Sequence, residues 1–201
     1  MDQIKRYFSL KIAKSEQAKM LFQYLLVLIV STIAGLFLAR STSLSFLCER
    51  AVRHFTLPFS HCTSFREVSL EYLRYSLSDL ICAILLLVSS FSLLNCLSSE
   101  FILAFQGLRF GVTLTAVFSI RGFGYSGERL SLLLFRFGII FCFVLCAYHL
   151  SRHSYEFRKS LTSGRVTFSP KNTLPLFGFF LLLTSAILLF NLLYCGIIFL
   201  I

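Results

Sequence analysis

The chain has 201 residues, of which 57% are hydrophobic and 14% charged, with a net charge of +10. At a mean hydropathy of +0.81, a soluble domain of this size would lack the polar surface needed to cover it, so the water-soluble globular class is excluded. The positive charge does not mark a nucleic-acid binder: Lys and Arg stand beside apolar runs, where they attract anionic lipid and set orientation, and most of the 24 Phe lie inside those runs.

A segment needs about 20 apolar residues to cross roughly 30 Å of hydrocarbon. Taken in chain order, residues 1–20 form a basic segment with Lys5, Arg6, Lys11, Lys14 and Lys19. Residues 21–39 follow as a first span, too long for a signal-peptide core and without a small-x-small cleavage site at its end. Residues 40–78 form a loop of mixed charge with Pro58 and two cysteines, too short for a self-sufficient domain. Further spans are expected over 80–97, 101–120 and 130–150, then a basic connection over 151–174 and a last span over 175–201. Asn172 and Thr173 offer capping side chains ahead of Pro175. Unpaired backbone amides are not tolerated in lipid, so the expected fold class is all-α: a polytopic membrane protein with about five transmembrane helices.

Basic residues are retained on the cytoplasmic side. All six lysines fall in residues 1–20 and 151–174, and five spans place both tracts on one face. The expectation is a multi-pass cell-membrane protein with a cytoplasmic N-terminus, an exterior C-terminus and an exterior 40–78 loop. Arg40, Arg50, Arg53, Arg66 and Arg74 in that loop run against this pattern.

The residue that says most is Arg109, about eight positions into the third span. An arginine at the centre of a span carries a penalty of about 2.5–3.5 kcal/mol on insertion scales, so it should face a protein interior, a polar cavity or a partner subunit. The alternative is that it snorkels toward lipid phosphates with Gln106, one turn back, assisting. Gly107 and Gly111 flank it at a spacing that admits the backbone of another helix. Arg136 lies a short way inside the fourth span and Asp79 opens the second; the two can pair near the exterior face or each reach interfacial water alone. Asn191 offers an amide for bonds across helices.

Metal and catalytic chemistry find little support. No CxxC spacing occurs, and Cys82, Cys96, Cys142, Cys146 and Cys195 sit within the expected spans. Cys48 and Cys62 share the exterior loop, where a disulfide would close a loop of about 15 residues, worth on the order of 3 kcal/mol. His149 and His153 are four apart without the glutamate of a zinc-protease helix, and the Gly122, Gly124, Gly127 pattern follows a span rather than a strand. No catalytic centre, metal site or cofactor is expected.

The layout resembles the stage II sporulation protein M family of bacterial membrane proteins. The shared features are a basic N-terminus, one span followed by an exterior loop, three clustered spans, a charged connection and a terminal span. The local echo is Glu100-Phe-Ile-Leu-Ala-Phe-Gln-Gly-Leu-Arg-Phe-Gly111, similar to that family's Phe-x-Gly-x-x-x-Gly stretch, while Glu128-Arg129-Leu130-Ser131 replaces the family's polar signature at the fourth span. The resemblance implies a noncatalytic scaffold that recruits peptidoglycan-degrading partners during engulfment of the forespore. Expected partners are therefore the lipid bilayer and other membrane or cell-wall-remodelling proteins. The alternative is a transporter subunit in which Arg109, Gln106 and Asn191 line a polar path.

Overall fold

Apolar segments of this length satisfy their own backbone as helix, and the computed structural model is helical over almost all of its described residues, 2–41, 65–91, 95–119, 126–162 and 170–200. The helices are α1 (Asp2–Arg40), α2 (Phe65–Ser89), α3 (Asn95–Ser119), α4 (Ser126–Thr162) and α5 (Pro170–Leu200). Three stretches are long and apolar enough to cross a membrane: Ala18–Arg40 in α1, Tyr72–Ser89 in α2 and Leu133–Ser154 in α4. A shorter apolar stretch, Phe177–Leu193, lies in α5. No strand occurs among the described residues.

Several boundaries differ from the sequence expectation. The 80–97 window straddles a turn, because α2 ends at Ser89 and α3 begins at Asn95. Ser89 and Ser90 hydroxyls donate to the carbonyls of Leu86 and Leu87, which terminates α2 within an otherwise apolar run. The 40–78 loop is helical from Phe65 onward. The 1–20 segment is the first half of α1, and the 151–174 connection is helical through Thr162 and again from Pro170.

Contacts at one end of the bundle set the direction of every helix. Tyr24 near the start of the α1 span hydrogen-bonds Ser151 near the end of the α4 span, at 2.5 Å. Asn95 at the start of α3 donates to the same serine at 3.1 Å, and Ser89 at the end of α2 reaches Asn95 at 3.0 Å. Phe91 packs on His153 of α4 and on Phe177 of α5. Thus α1, α3 and α5 leave this end, and α2 and α4 arrive at it.

The α1–α3 pair is parallel and very close. The side chains of Gln23 and Glu100 are hydrogen-bonded, and Gly107 and Gly111 then meet α1 in register, at Ser31 and Leu28 and at Thr32 and Leu36. A methyl group added to Gly35 would stand 2.3 Å from the Leu108 carbonyl oxygen, and one on Gly111 would stand 2.1 Å from that of Thr32. Ser31 and Gly35 therefore face Gly107 and Gly111, all of them buried, with backbone against backbone. Sequence reading finds the α3 half of this seam; the α1 half is concealed within an ordinary apolar run.

The surface has inverted polarity. Phe22, Phe37, Phe101 and Phe118 are 66–74% exposed, whereas Ser76, Asp79, Asn95, Ser99, Gln106, Arg136 and Asn191 are buried. Such a surface is compatible with membrane insertion and would be an aggregation liability in water. The core itself gathers Tyr24, Leu86, Leu103, Ile139, Phe143, Leu150 and Ile187 from all five helices.

Because neither backbone at the α1–α3 seam can yield, Gly111→Leu should lower stability by about 3 kcal/mol or more, the upper end of overpacking penalties. Gly178 on α5 meets nothing within 4 Å, so Gly178→Leu should leave stability unchanged. Unfolding of the two purified variants in mild detergent, followed by circular dichroism, checks the contrast.

Candidate functional site

The polar side chains of the helix interiors converge on one carboxylate. Asp79 of α2 is fully buried, with a side-chain exposure of 0%. Its Oδ1 accepts from Arg109 Nη1 at 2.8 Å and from Gln106 Nε2 at 3.3 Å. Its Oδ2 accepts from Arg136 Nη1 at 3.0 Å and from Asn191 Nδ2 at 3.4 Å. Donors from α3, α4 and α5 therefore occupy both faces of a carboxylate that belongs to α2. A carboxylate has about four acceptor positions, and four donors fill them here.

Each donor reaches the site for a local reason. Gln106 and Arg109 are three residues apart and share a face of α3, one turn from each other. A different face of α3 carries Gly107 against α1, so close packing on that side leaves the polar pair presented to α2. Arg109 is also held by its own neighbour on α2, since its Nη1 donates to Ser78 Oγ at 2.7 Å. Arg136 is the more deeply set of the two arginines, at 5% side-chain exposure against 17% for Arg109. Asn191 turns its amide NH2 toward the carboxylate; its Oδ1, buried, has no hydrogen-bond partner among the described residues.

Of the residues singled out from sequence, Asp79, Gln106, Arg109, Arg136 and Asn191 thus come together, and Gly107 and Gly111 form the adjoining helix seam. Asp79 and Arg136 lie inside the bundle as an ion pair rather than at interfacial water. Arg109 points to the carboxylate instead of snorkelling, and Glu100 accepts from Gln23 rather than approaching Arg109. Cys48 and Cys62 lie outside the described residues. Cys82, Cys142 and Cys146 are free and buried.

A second buried polar layer, which sequence reading does not single out, lies at the opposite half of the bundle. Ser151 is its hub, bonded to Tyr24 and Asn95, with Ser99 at 3.5 Å. Its signal is an asparagine and serines around a helix start, Asn95-Cys-Leu-Ser-Ser99, where side-chain oxygens are favoured.

The chemistry open to the first layer is limited. A carboxylate with its acceptor positions filled by two guanidiniums and two amides offers no free lone pair to a substrate proton. Among the described residues there is no group of three or more His, Cys, Asp or Glu placed to hold a metal ion. His149 stacks near Phe179 at 4.2 Å and His153 near Phe91, both as packing partners. What the arrangement can do is fasten helices: one anion bridges four of them.

Neither the family models, nor the curated proteins, nor the solved structures contain a match to this chain.

Removing the anion leaves two like charges buried together, whereas removing one arginine leaves a one-to-one ion pair. Asp79→Asn should therefore destabilise the protein by about 3–5 kcal/mol, the range for breaking a buried ion pair from one side. Arg109→Leu should be milder. Denaturant titrations of both variants in detergent check the order; an equal or reversed ranking would contradict the central role of Asp79.

Proposed function

We propose that the chain is a noncatalytic, multi-pass scaffold of the cell membrane, with all five helices crossing the bilayer, the N-terminus in the cytoplasm and the C-terminus outside. The observation that carries this reading is the self-closure of the charged layer. Transport of a polar or anionic solute needs intramembrane groups that line a path and exchange partners with the substrate. Here Gln106, Arg109, Arg136 and Asn191 each donate to Asp79 and thereby join helices. A bundle fastened in this way is suited to presenting fixed surfaces to other proteins.

The five-span arrangement is supported by the alternating helix directions and by the lysines, which lie toward the end where Tyr24 meets Ser151. The resemblance to the stage II sporulation protein M family points to the same role and to cell-wall-remodelling proteins as the partner class. Against that background the Asp79 layer is a structural fastening, and the partner-binding surfaces lie outside it.

Co-purification from membranes in mild detergent tests the scaffold reading. A cell-wall hydrolase recovered in stoichiometric amount is the expected result, and recovery of an ATPase subunit with solute-dependent flux would replace the reading with transport. Reporters fused to the N-terminus and inserted near Lys159 should be found on the same face of the membrane; opposite faces would refute the five-span topology.

A further inference from the structure

Two direct hydrogen bonds join α2 to α5. Tyr72 Oη donates to the Leu188 carbonyl at 3.0 Å, and Asn191 Nδ2 donates to Asp79 Oδ2 at 3.4 Å. Ser76 stands between the two bonds on α2, four residues after Tyr72 and three before Asp79, so it shares their face. Leu188 and Asn191 are likewise three residues apart on α5 and neighbours on one face. Ser76 and the Asn191 amide therefore meet in the same stretch of the α2–α5 interface.

Both side chains are buried, Ser76 at 1% exposure and Asn191 at 0%. Neither Ser76 Oγ nor Asn191 Oδ1 has a hydrogen-bond partner among the described residues. Other hydroxyls of the bundle solve this problem locally. Those of Ser31, Thr32, Thr113, Thr115 and Thr184 donate to a carbonyl three or four residues back in their own helix. Ser76 does not, and it makes no direct bond to Asn191. A buried polar atom left unsatisfied opposes folding, so a ligand that serves both oxygens is favoured.

The surroundings select its chemistry. A cation would stand beside the guanidiniums of Arg109 and Arg136, which are paired with the neighbouring carboxylate. An anion would face that carboxylate and the carbonyl oxygen of Asn191. A neutral hydrogen-bond donor remains, because Asn191 Oδ1 can only accept, whereas a serine hydroxyl accepts or donates. Water meets these demands, and a buried water is held by two to four polar partners.

We propose that one long-lived water molecule is bound between α2 and α5 beside Asp79, donating to Asn191 Oδ1 and hydrogen-bonded to Ser76 Oγ. The site goes beyond the scaffold reading and does not depend on it. A bridge of this kind is nearly as good as a direct hydrogen bond. It adds to the two direct bonds and helps set the rotation of α5, since Asn191 must turn its NH2 to Asp79 and its carbonyl to the water at once.

Two measurements on the full chain in detergent micelles test the site. The first is a double-mutant cycle on Ser76 and Asn191, two side chains that do not bond each other directly. Ser76→Ala should lower the folding equilibrium constant about fivefold in the unmodified chain, the effect of one net hydrogen bond. In an Asn191→Leu background the same change should have no effect. A Ser76→Ala chain that is as stable as the unmodified one, or more stable, overturns the proposal, because the hydroxyl then bonds to nothing. Equal losses in both backgrounds overturn it too, since the hydroxyl then acts without Asn191. The second measurement holds even where Asn191→Leu does not fold. With isotope-labelled asparagine, the Asn191 side-chain amide should show a nuclear Overhauser cross-peak to a long-lived water, and Ser76→Ala should abolish it. A cross-peak missing from the unmodified chain, or one that survives Ser76→Ala unaltered, refutes the bound water.

Discussion

Asp79 is the constraint on which the arrangement of four helices depends. An arginine in an apolar helix is tolerated only when its charge is answered, and this bundle buries Arg109 and Arg136 close to the same point. One carboxylate answers both, because its two oxygens face different helices. The geometry leaves little freedom: α3 must present Gln106 and Arg109, α4 must present Arg136, and α5 must turn Asn191 inward. A bundle held by apolar contacts alone could rotate or slide its helices at small loss, whereas a rotation here strands at least one buried charge.

The α1 helix takes no part in that layer and is held by a different force. Lipid tails are as apolar as leucine, so apolar side chains give helices in a membrane little reason to associate, and close van der Waals contact between backbones takes over. Gly35, Gly107 and Gly111 supply that contact along one stripe, while most other residues between Ala18 and Arg40 are exposed or only partly buried. The two fastenings meet in α3, which shows glycine to α1 and its amide and guanidinium to Asp79. The helix with the most polar interior is thereby packed on both sides, and the Tyr24, Asn95 and Ser151 bonds close the opposite end.

The helical class was legible in the sequence because long uncharged runs leave few alternatives; against the five spans expected, the described residues hold three stretches long and apolar enough to cross a membrane and one shorter apolar stretch. The partners of Arg109 were legible only in kind. Asp79 looked like the opening residue of a span because Arg66, Glu67, Glu71 and Arg74 crowd the preceding stretch; with the helix starting at Phe65, Asp79 becomes an interior residue. The error at 80–97 has a similar source. Ser98-Ser99-Glu100 is the more polar tripeptide and reads as the turn, but those residues lie in the first turns of α3, where Ser99 and Asn95 serve the buried Ser151 network. The actual break falls after Ser89 and Ser90, whose hydroxyls both reach carbonyls of their own helix. Mean hydropathy registers neither event, since it counts polar atoms without asking where their hydrogen bonds go. The α1 face of the seam was hidden for the opposite reason: Gly35 is one small residue in an apolar run, and its role follows only from what stands opposite.

Charge arithmetic would have come closer than hydropathy. Among the residues of the span-length stretches in α1, α2 and α4, Asp79 is the only acid away from a stretch end. Two arginines and one aspartate placed in separate apolar helices have few ways to be buried together, and all of them make the aspartate the centre. The same reasoning separates the two kinds of positive charge in this chain. Arg109 and Arg136 are inward, neutralised in part by Asp79, and serve cohesion. The basic residues of the α1 and α4 extensions have no comparable density of acid in their sequence neighbourhood, so no such neutralisation is written into those segments.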